Sequence, residues 1–288
     1  MAKKHYWLLY ALITVVTWGI WGAFSSTPDY PATLTYVVWA ISMIPCALVA
    51  LANIKFKLNT NPKAVILSMG VGLLGAGGQL VLFEALKHGP AYLIFPMISV
   101  APIVTVILST AFLKERVSKL GALGIVLAFV ALVCFNLSSG DDEAAKDNLW
   151  IILASLVFIC WGTQAFVMKL ANNHTPDAES VFVYMAISAV VLIPVALFMT
   201  DFSQPINTSF NGPYLTFGIQ ILNSIGAFAL VYANRYGKAM IIAPLADALA
   251  PVITTAISLV LYAHLPSIAQ VFGIISAISC VLIFSREQ

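Results

Sequence analysis

The chain has 288 residues, 61% of them hydrophobic and 9% charged, with a formal net charge of +2. A soluble domain carries roughly 25% charged residues, so too little polar surface is left here to face water and lipid must solvate much of the chain. The small net charge, without a basic tract interleaved with aromatics, excludes the usual nucleic-acid binder.

Ten apolar segments follow in order: 6–24, 31–52, 62–87, 90–112, 118–137, 148–170, 176–199, 213–235, 239–262 and 266–285. Each reaches about the 20 residues that cross a hydrocarbon core as helix. Lys3 and Lys4 precede the first, but that run is long enough to span and lacks a small-residue cleavage site, so it reads as a retained helix. Pro31, Pro62, Pro90, Pro176, Pro213 and Pro266 each open a run, where a missing N–H costs nothing, and Asn61, Thr175 and Gly212 precede three of them as N-cap candidates. The cysteines Cys46, Cys134, Cys160 and Cys280 lie inside apolar runs with no CxxC partner or metal-ligand spacing, so they read as small buried hydrophobes. No metal or cofactor is expected.

Lys and Arg set the orientation. With the N-terminus inside, twelve of them fall on inside segments and two, Lys87 and Lys146, on outside loops. Both termini are then cytoplasmic, and the natural location is a plasma (inner) membrane.

The halves resemble each other at a shift of about 148–149 residues. Pro45 pairs with Pro194, Pro96 with Pro244, Pro102 with Pro251, Thr105 with Thr254, and Gly124 with Gly273. Nearer the start the shift shortens, and Trp18-Gly19 pairs with Trp161-Gly162. The expected organisation is a five-helix repeat over 1–137, a second over 148–288, and an acidic extracytoplasmic linker over 138–147 carrying Asp141, Asp142 and Glu143. Five spans per repeat is odd, so the second repeat lies upside down relative to the first. Inverted repeats of this kind suit secondary transporters, whose halves exchange conformations around a central site.

On these residues the chain resembles the drug/metabolite transporter superfamily, in its EamA-type branch of two five-helix repeats. Trp18-Gly19, Ala85-Leu86 before Gly89-Pro90-Ala91, Pro102 and Leu113-Lys114-Glu115-Arg116 carry the resemblance, while His264 stands where the family commonly repeats the glutamate. The resemblance implies an all-α integral membrane fold with helices one, three, four, six, eight and nine around a cavity, and helices five and ten further out. It leaves the substrate open, since the superfamily carries amino acids, sugars, nucleotide-sugars and drugs.

Asp247 is the sharpest functional candidate. It lies about eight residues into the ninth span, close to 12 Å along a helix and near the midplane. An ionised Asp there costs about 2.5–3.5 kcal/mol on insertion scales, so it must face a cavity, a partner or a proton. Pro251 cannot donate to the carbonyl of Asp247, which leaves a second polar group at the same level. A structural hydrogen bond within the bundle is the plainer alternative. Thr14, Trp18, Trp21 and Ser25 form one stripe of the first helix, and Trp161 with Gln164 repeats the pattern on the sixth. Gln79, Asn223 and Tyr232 are further polar candidates, each able to serve only as an interhelical bond. Glu84 is a cavity candidate that could instead pair with Lys87 at i,i+3. Pro96, Pro102, Pro244 and Pro251 are candidate helix breaks or hinges. Gly70, Gly72 and Gly75 spell a literal GxGxxG, but inside a membrane span this reads as helix packing, as do Gly121, Gly124 and Ala128, and Gly273 with Ala277, on packing or dimer faces.

The sequence therefore points to a secondary transporter of a small polar metabolite (amino acid, amine or sugar-like), monomeric or homodimeric in the bilayer, with Asp247 as substrate ligand or proton carrier. A flippase or nucleotide-sugar antiporter of the same fold is the alternative. A membrane enzyme would need a nucleophile–base or metal cluster, for which no spacing is found. In a cysteine-free variant, cysteines placed within 140–146 should react with impermeant reagents from outside, and Lys57→Cys and Lys119→Cys only from inside. Labelling of Lys119→Cys from outside intact cells would break the ten-span topology.

Overall fold

A computed structural model describes residues 6–25, 27–88, 94, 97–98, 100–136, 149–262, 267–284 and 286. The described residues form ten membrane helices: α1 Tyr6–Phe24, α2 Ala32–Asn53, α3 Pro62–His88, α4 Pro102–Phe112, α5 Lys119–Asn136, α6 Leu149–His174, α7 Ala178–Phe198, α8 Leu215–Tyr236, α9 Ala239–Tyr262 and α10 Ile268–Phe284. Six of these spans are long and apolar enough to cross a membrane, and the other four hold shorter apolar stretches. Helices dominate because hydrocarbon offers the backbone no partner and a helix satisfies its own amides.

Local chemistry sets the ends. Asn61 caps α3 by accepting from the Lys63 amide at 3.0 Å. At α7 the cap is Asp177, which accepts from Ser180 N–H at 2.6 Å, and not the expected Thr175, whose hydroxyl bonds back to Ala171. Gly212 and Pro213 form a single wide turn, Phe210–Tyr214, leading into α8.

The prolines behave differently in the two repeats. Within the expected fourth span, 90–112, Ile94, Met97 and Ile98 are helical among the described residues, Val100 and Ala101 form a turn, and Pro102 occupies the first turn of α4. Before it the chain makes tight turns: Ala101 N–H donates to Ile98 O (3.0 Å) and Val104 N–H to Ala101 O (2.9 Å). α9 instead runs through both Pro244 and Pro251. Pro96 lies outside the described residues, as does the linker 138–147. Pro45 sits inside α2, whereas its mate Pro194 follows a break in α7 at Leu192.

Packing follows the repeat. α1 packs on α8 and α9, and its mate α6 packs on α3 and α4, the corresponding helices of the other half. α2 meets its own mate α7, α4 meets α9, and α5 meets α10. An approximate two-fold relation between the halves gives this exchange of partners. The apolar core forms three clusters: one joins α2, α3, α6, α7 and α8, a second joins α1, α5, α8, α9 and α10, and a third joins α3 and α6 with Ile94 and Ile98.

Glycines set the closest approaches. A Cβ on Gly19 of α1 would overlap Ile253 and lie 2.9 Å from the Ala250 carbonyl on α9. A Cβ on Gly162 of α6 would overlap the Ala101 carbonyl and Val104 at the start of α4. Gly72 meets α7 and Gly75 meets α6, so the literal GxGxxG is a packing surface. Gly124 lies against Ile283 and Phe284, which makes that small-residue face an intramolecular α5–α10 contact. Gly77 has open space at its Cβ position. Gly19→Ala and Gly162→Ala should each destabilise the bundle by about 1–3 kcal/mol through overpacking. Gly77→Ala should be neutral or stabilising by up to about 1 kcal/mol. Thermal unfolding in detergent reads all three, and equal effects at Gly19 and Gly77 would refute the packing account.

Candidate functional site

The Trp-Gly pairs build two matching seams. On α1, Trp18 Nε1 donates to the Asn223 carbonyl of α8 at 3.2 Å. On α6, Trp161 Nε1 donates to the Gly75 carbonyl of α3, also at 3.2 Å. Asn223 and Gly75 are repeat mates. The neighbouring glycines are matched as well: Thr254 Oγ1 donates to Gly19 O at 2.9 Å, and Thr105 Oγ1 to Gly162 O at 2.7 Å. Each tryptophan lies in a hollow left by a glycine on the facing helix, Gly226 for Trp18 and Gly78 for Trp161. Both indole N–H groups are thereby occupied by backbone carbonyls.

Thr14 and Trp21 of the α1 stripe lie along α8 too, while Ser25 bonds back to Gly22 O of α1. Thr14 Oγ1 donates to Gly226 O at 2.9 Å, and Trp21 Nε1 to Gln220 Oε1 at 3.1 Å. Asn223 is bound from a second side by Trp39 of α2, whose Nε1 reaches Oδ1 at 2.9 Å. Trp18, Trp21 and Asn223 thus come together as a bonded interhelical seam. Its mate on α3 and α6 keeps the Trp161 bond but has no asparagine to match Asn223. Gly75 replaces Asn223 there, and the Gln164 amide lies across the glycine. Among the described residues, Gln164 and Gln79 make no hydrogen bond, and both are half-buried.

Asp247 is set apart from these seams. It is half-buried, while its neighbours from Ala239 to Leu249 are all buried. Among the described residues nothing bonds its carboxylate, and no other charged side chain lies so far from a helix end. One turn further along α9, Ala250 meets Gly19 of α1, so Asp247 belongs to the level of the two Trp-Gly contacts. Pro251 is on the same turn. Of its two possible repeat mates, Ile98 is buried in an apolar cluster and Ser99 lies outside the described residues. A carboxylate without a partner, inside a bundle in lipid, can take up a cation, a proton or a hydroxyl donor.

Two candidates sit elsewhere. Glu84 lies at the end of α3, where its carboxylate pairs with Lys87 at 2.9 Å and faces His88 at 3.5 Å. That is the i,i+3 pairing, with Lys87 exposed and Glu84 partly exposed at the helix end. Tyr232 donates to Glu179 of α7 at 2.5 Å and stacks on Tyr10 with ring centroids 4.8 Å apart. It lies near the opposite helix end from Asn223. Trp39, Gln220 and Glu179 were not anticipated as partners. Glu179 carries the one available signal, an acid at the start of an apolar run.

Comparison with known proteins adds the following. The model of the EamA-like transporter family matches twice, over residues 5–137 and 148–286. An uncharacterized protein of Methanocaldococcus jannaschii is 28% identical over 134 residues, 46% of this chain and 97% of that one. An uncharacterized transporter of Archaeoglobus fulgidus is 28% identical over 214 residues, 68% of this chain and 67% of its own. A crystal structure with 18% identity superposes with a TM-score of 0.76, covering 96% of this chain and 98% of the other, which shows a shared fold.

The interior is testable by accessibility. In a cysteine-free background, Gln164→Cys and Asp247→Cys should react with small water-soluble thiol reagents, because both positions are half-buried and without protein partners. Val16→Cys, 45% exposed on the outer face of α1, should stay unreactive in lipid. Reaction at Val16 alone would place the water-accessible surface on the wrong side of α1.

Proposed function

Because the chain belongs to the EamA-like transporter family, we propose that it carries a small polar metabolite (amino acid, amine or sugar-like) across a plasma membrane by alternating access, with Asp247 at its central site. Both termini and the Lys- and Arg-rich helix ends face the cytoplasm in this reading, as the twelve-to-two distribution requires. The observation that carries it is the Asp247 carboxylate, half-buried and without a protein partner at the level where α1 crosses α9.

The chemistry follows from that charge. A lone carboxylate in a low-dielectric interior favours a substrate cation or a proton, because either removes the cost of an unpaired ion. The two tryptophans cannot donate to substrate, since their N–H groups already bind backbone. They offer ring faces, which suit an aliphatic or ammonium group. The unbonded Gln164 and Gln79 amides supply neutral hydrogen bonds. Substrate then bridges α9 and the opposite repeat, and rocking of one half against the other about the Gly19 and Gly162 contacts exposes it to either side.

Asp247→Asn separates the two roles of the acid, because Asn keeps size and hydrogen bonding but cannot ionise. If the carboxylate pairs with a cationic substrate, binding should weaken roughly 10- to 100-fold and liposome exchange should fail. If it carries a driving proton, exchange should persist while uphill uptake on a pH gradient is lost. Normal affinity and normal gradient-driven uptake in a folded Asp247→Asn protein would reject both roles.

A further inference from the structure

We infer that Glu115 is a gating residue of the transport cycle: with Lys238 and Lys169 it clasps the cytoplasmic end shut, and its bonds to α9 must break whenever the site opens to the cytoplasm. The inference rests on the alternating-access reading above.

The local chain aims the carboxylate. α4 ends at Phe112, and Lys114 takes the left-handed conformation, with φ of 56°, which residues other than glycine rarely adopt. Leu113 N–H at 3.1 Å and Glu115 N–H at 3.2 Å both close onto Ser109 O, which turns the chain back under the helix. Glu115 is thereby pointed at the first turn of α9 in the other repeat. Its Oε1 accepts from Ala239 N–H at 3.2 Å and its Oε2 from Met240 N–H at 3.1 Å. Those amides have no partner within α9, and the positive end of the helix dipole favours the negative charge.

Two lysines complete the clasp around the α8–α9 turn. Lys238 Nζ donates to Arg116 O at 2.5 Å, a second bond from one repeat to the other. Lys169 of α6 donates to Asn234 O at 2.9 Å and Gly237 O at 2.6 Å, which holds the end of α8. Trp7 of α1 closes against Gly237, where a Cβ would lie 2.9 Å from its own. Burial raises the Glu115 carboxyl above the ordinary carboxylate range, while the two α9 amides and the charges of Lys169 and Lys238 pull it back. Breaking the clasp leaves a desolvated carboxylate and two open amides together, so the bonds are worth more as a set than an exposed ion pair.

The sequence does not repeat the clasp. The repeat positions hold His264 for Glu115, Pro90 for Lys238 and Ser26 for Lys169. None of these can reproduce a carboxylate on a helix start held by two ammonium groups. Lys87, the mate of Arg235, is bound to Glu84 on its own helix. A frame that is symmetric in its seams is therefore biased by charge towards the state closed to the cytoplasm.

The test uses the full chain in proteoliposomes with Gln164→Cys as a central reporter in a cysteine-free background. Impermeant thiol reagent is applied from either side. Glu115→Gln keeps the side-chain size and one acceptor but presents an N–H₂ to the second amide. It should raise reaction from the cytoplasmic side about tenfold, a shift of 1.4 kcal/mol, and lower reaction from outside. The opposite changes on the two sides distinguish a shifted equilibrium from a loosened fold. Lys238→Met should give a smaller change of the same sign, and it decides the matter if Glu115→Gln does not fold. Unchanged labelling ratios in the folded variants overturn the clasp. A reporter that reacts from both sides in the parent while the variants change nothing leaves alternating access standing, and a reporter reached from one side only, in every variant, overturns that reading and the clasp with it.

Discussion

Two close crossings without side chains hold this bundle in its arrangement. At Gly19 and at Gly162 a helix of one repeat lies so near the other repeat that no Cβ fits, and a threonine hydroxyl bonds the glycine carbonyl directly. In lipid there is no hydrophobic gain from bringing helices together, so small residues and interhelical hydrogen bonds must supply the contact. The adjacent tryptophan then fixes each helix against its second neighbour through a carbonyl bond of 3.2 Å. A glycine, a threonine and a tryptophan, each repeated twice, thus determine where α1 and α6 sit.

On that symmetric frame the functional groups are placed asymmetrically. The α1–α8 seam is filled by Asn223, Gln220 and three indoles, while the α3–α6 seam holds Gly75, Gly78 and an unbonded Gln164. Asp247 on α9 is a half-buried carboxylate, where the corresponding stretch before α4 includes the buried Ile98. Matched positions of the two repeats thus carry different chemistry. The prolines diverge likewise: Pro102 begins a helix after tight turns, whereas Pro251 stays inside one. Equal residues at mated positions do not impose equal backbone, because proline removes one bond without dictating what replaces it.

Contacts at the glycine crossings are apolar or involve neutral hydroxyls within the helices. Charged contacts gather at the basic helix ends, where Glu115, Lys238 and Arg235 reach loop and helix-end carbonyls and amides. Near water such bonds can exchange for solvent at modest cost, which a buried ion at the midplane could not do.

Class, span number and the repeat were determined by the sequence alone. Twenty-residue apolar runs have one stable form in lipid, and an odd repeat of five has one orientation relative to its partner. The Trp-Gly pairs and the threonines were visible as repeated positions, and Asp247 as a charge where charge is costly. What they touch was decided by tertiary structure. A stripe of Thr14, Trp18 and Trp21 has the same periodicity whether it lines a cavity or a neighbouring helix, and packing against α8 chose the latter. The i,i+3 pairing of Glu84 with Lys87 was available from spacing, but only the fold left both at an exposed helix end. The reach of Glu115 to the start of α9 joins residues more than a hundred positions apart. No local pattern encodes it, because the partner groups are backbone amides that every sequence possesses and that only the packed bundle brings within range.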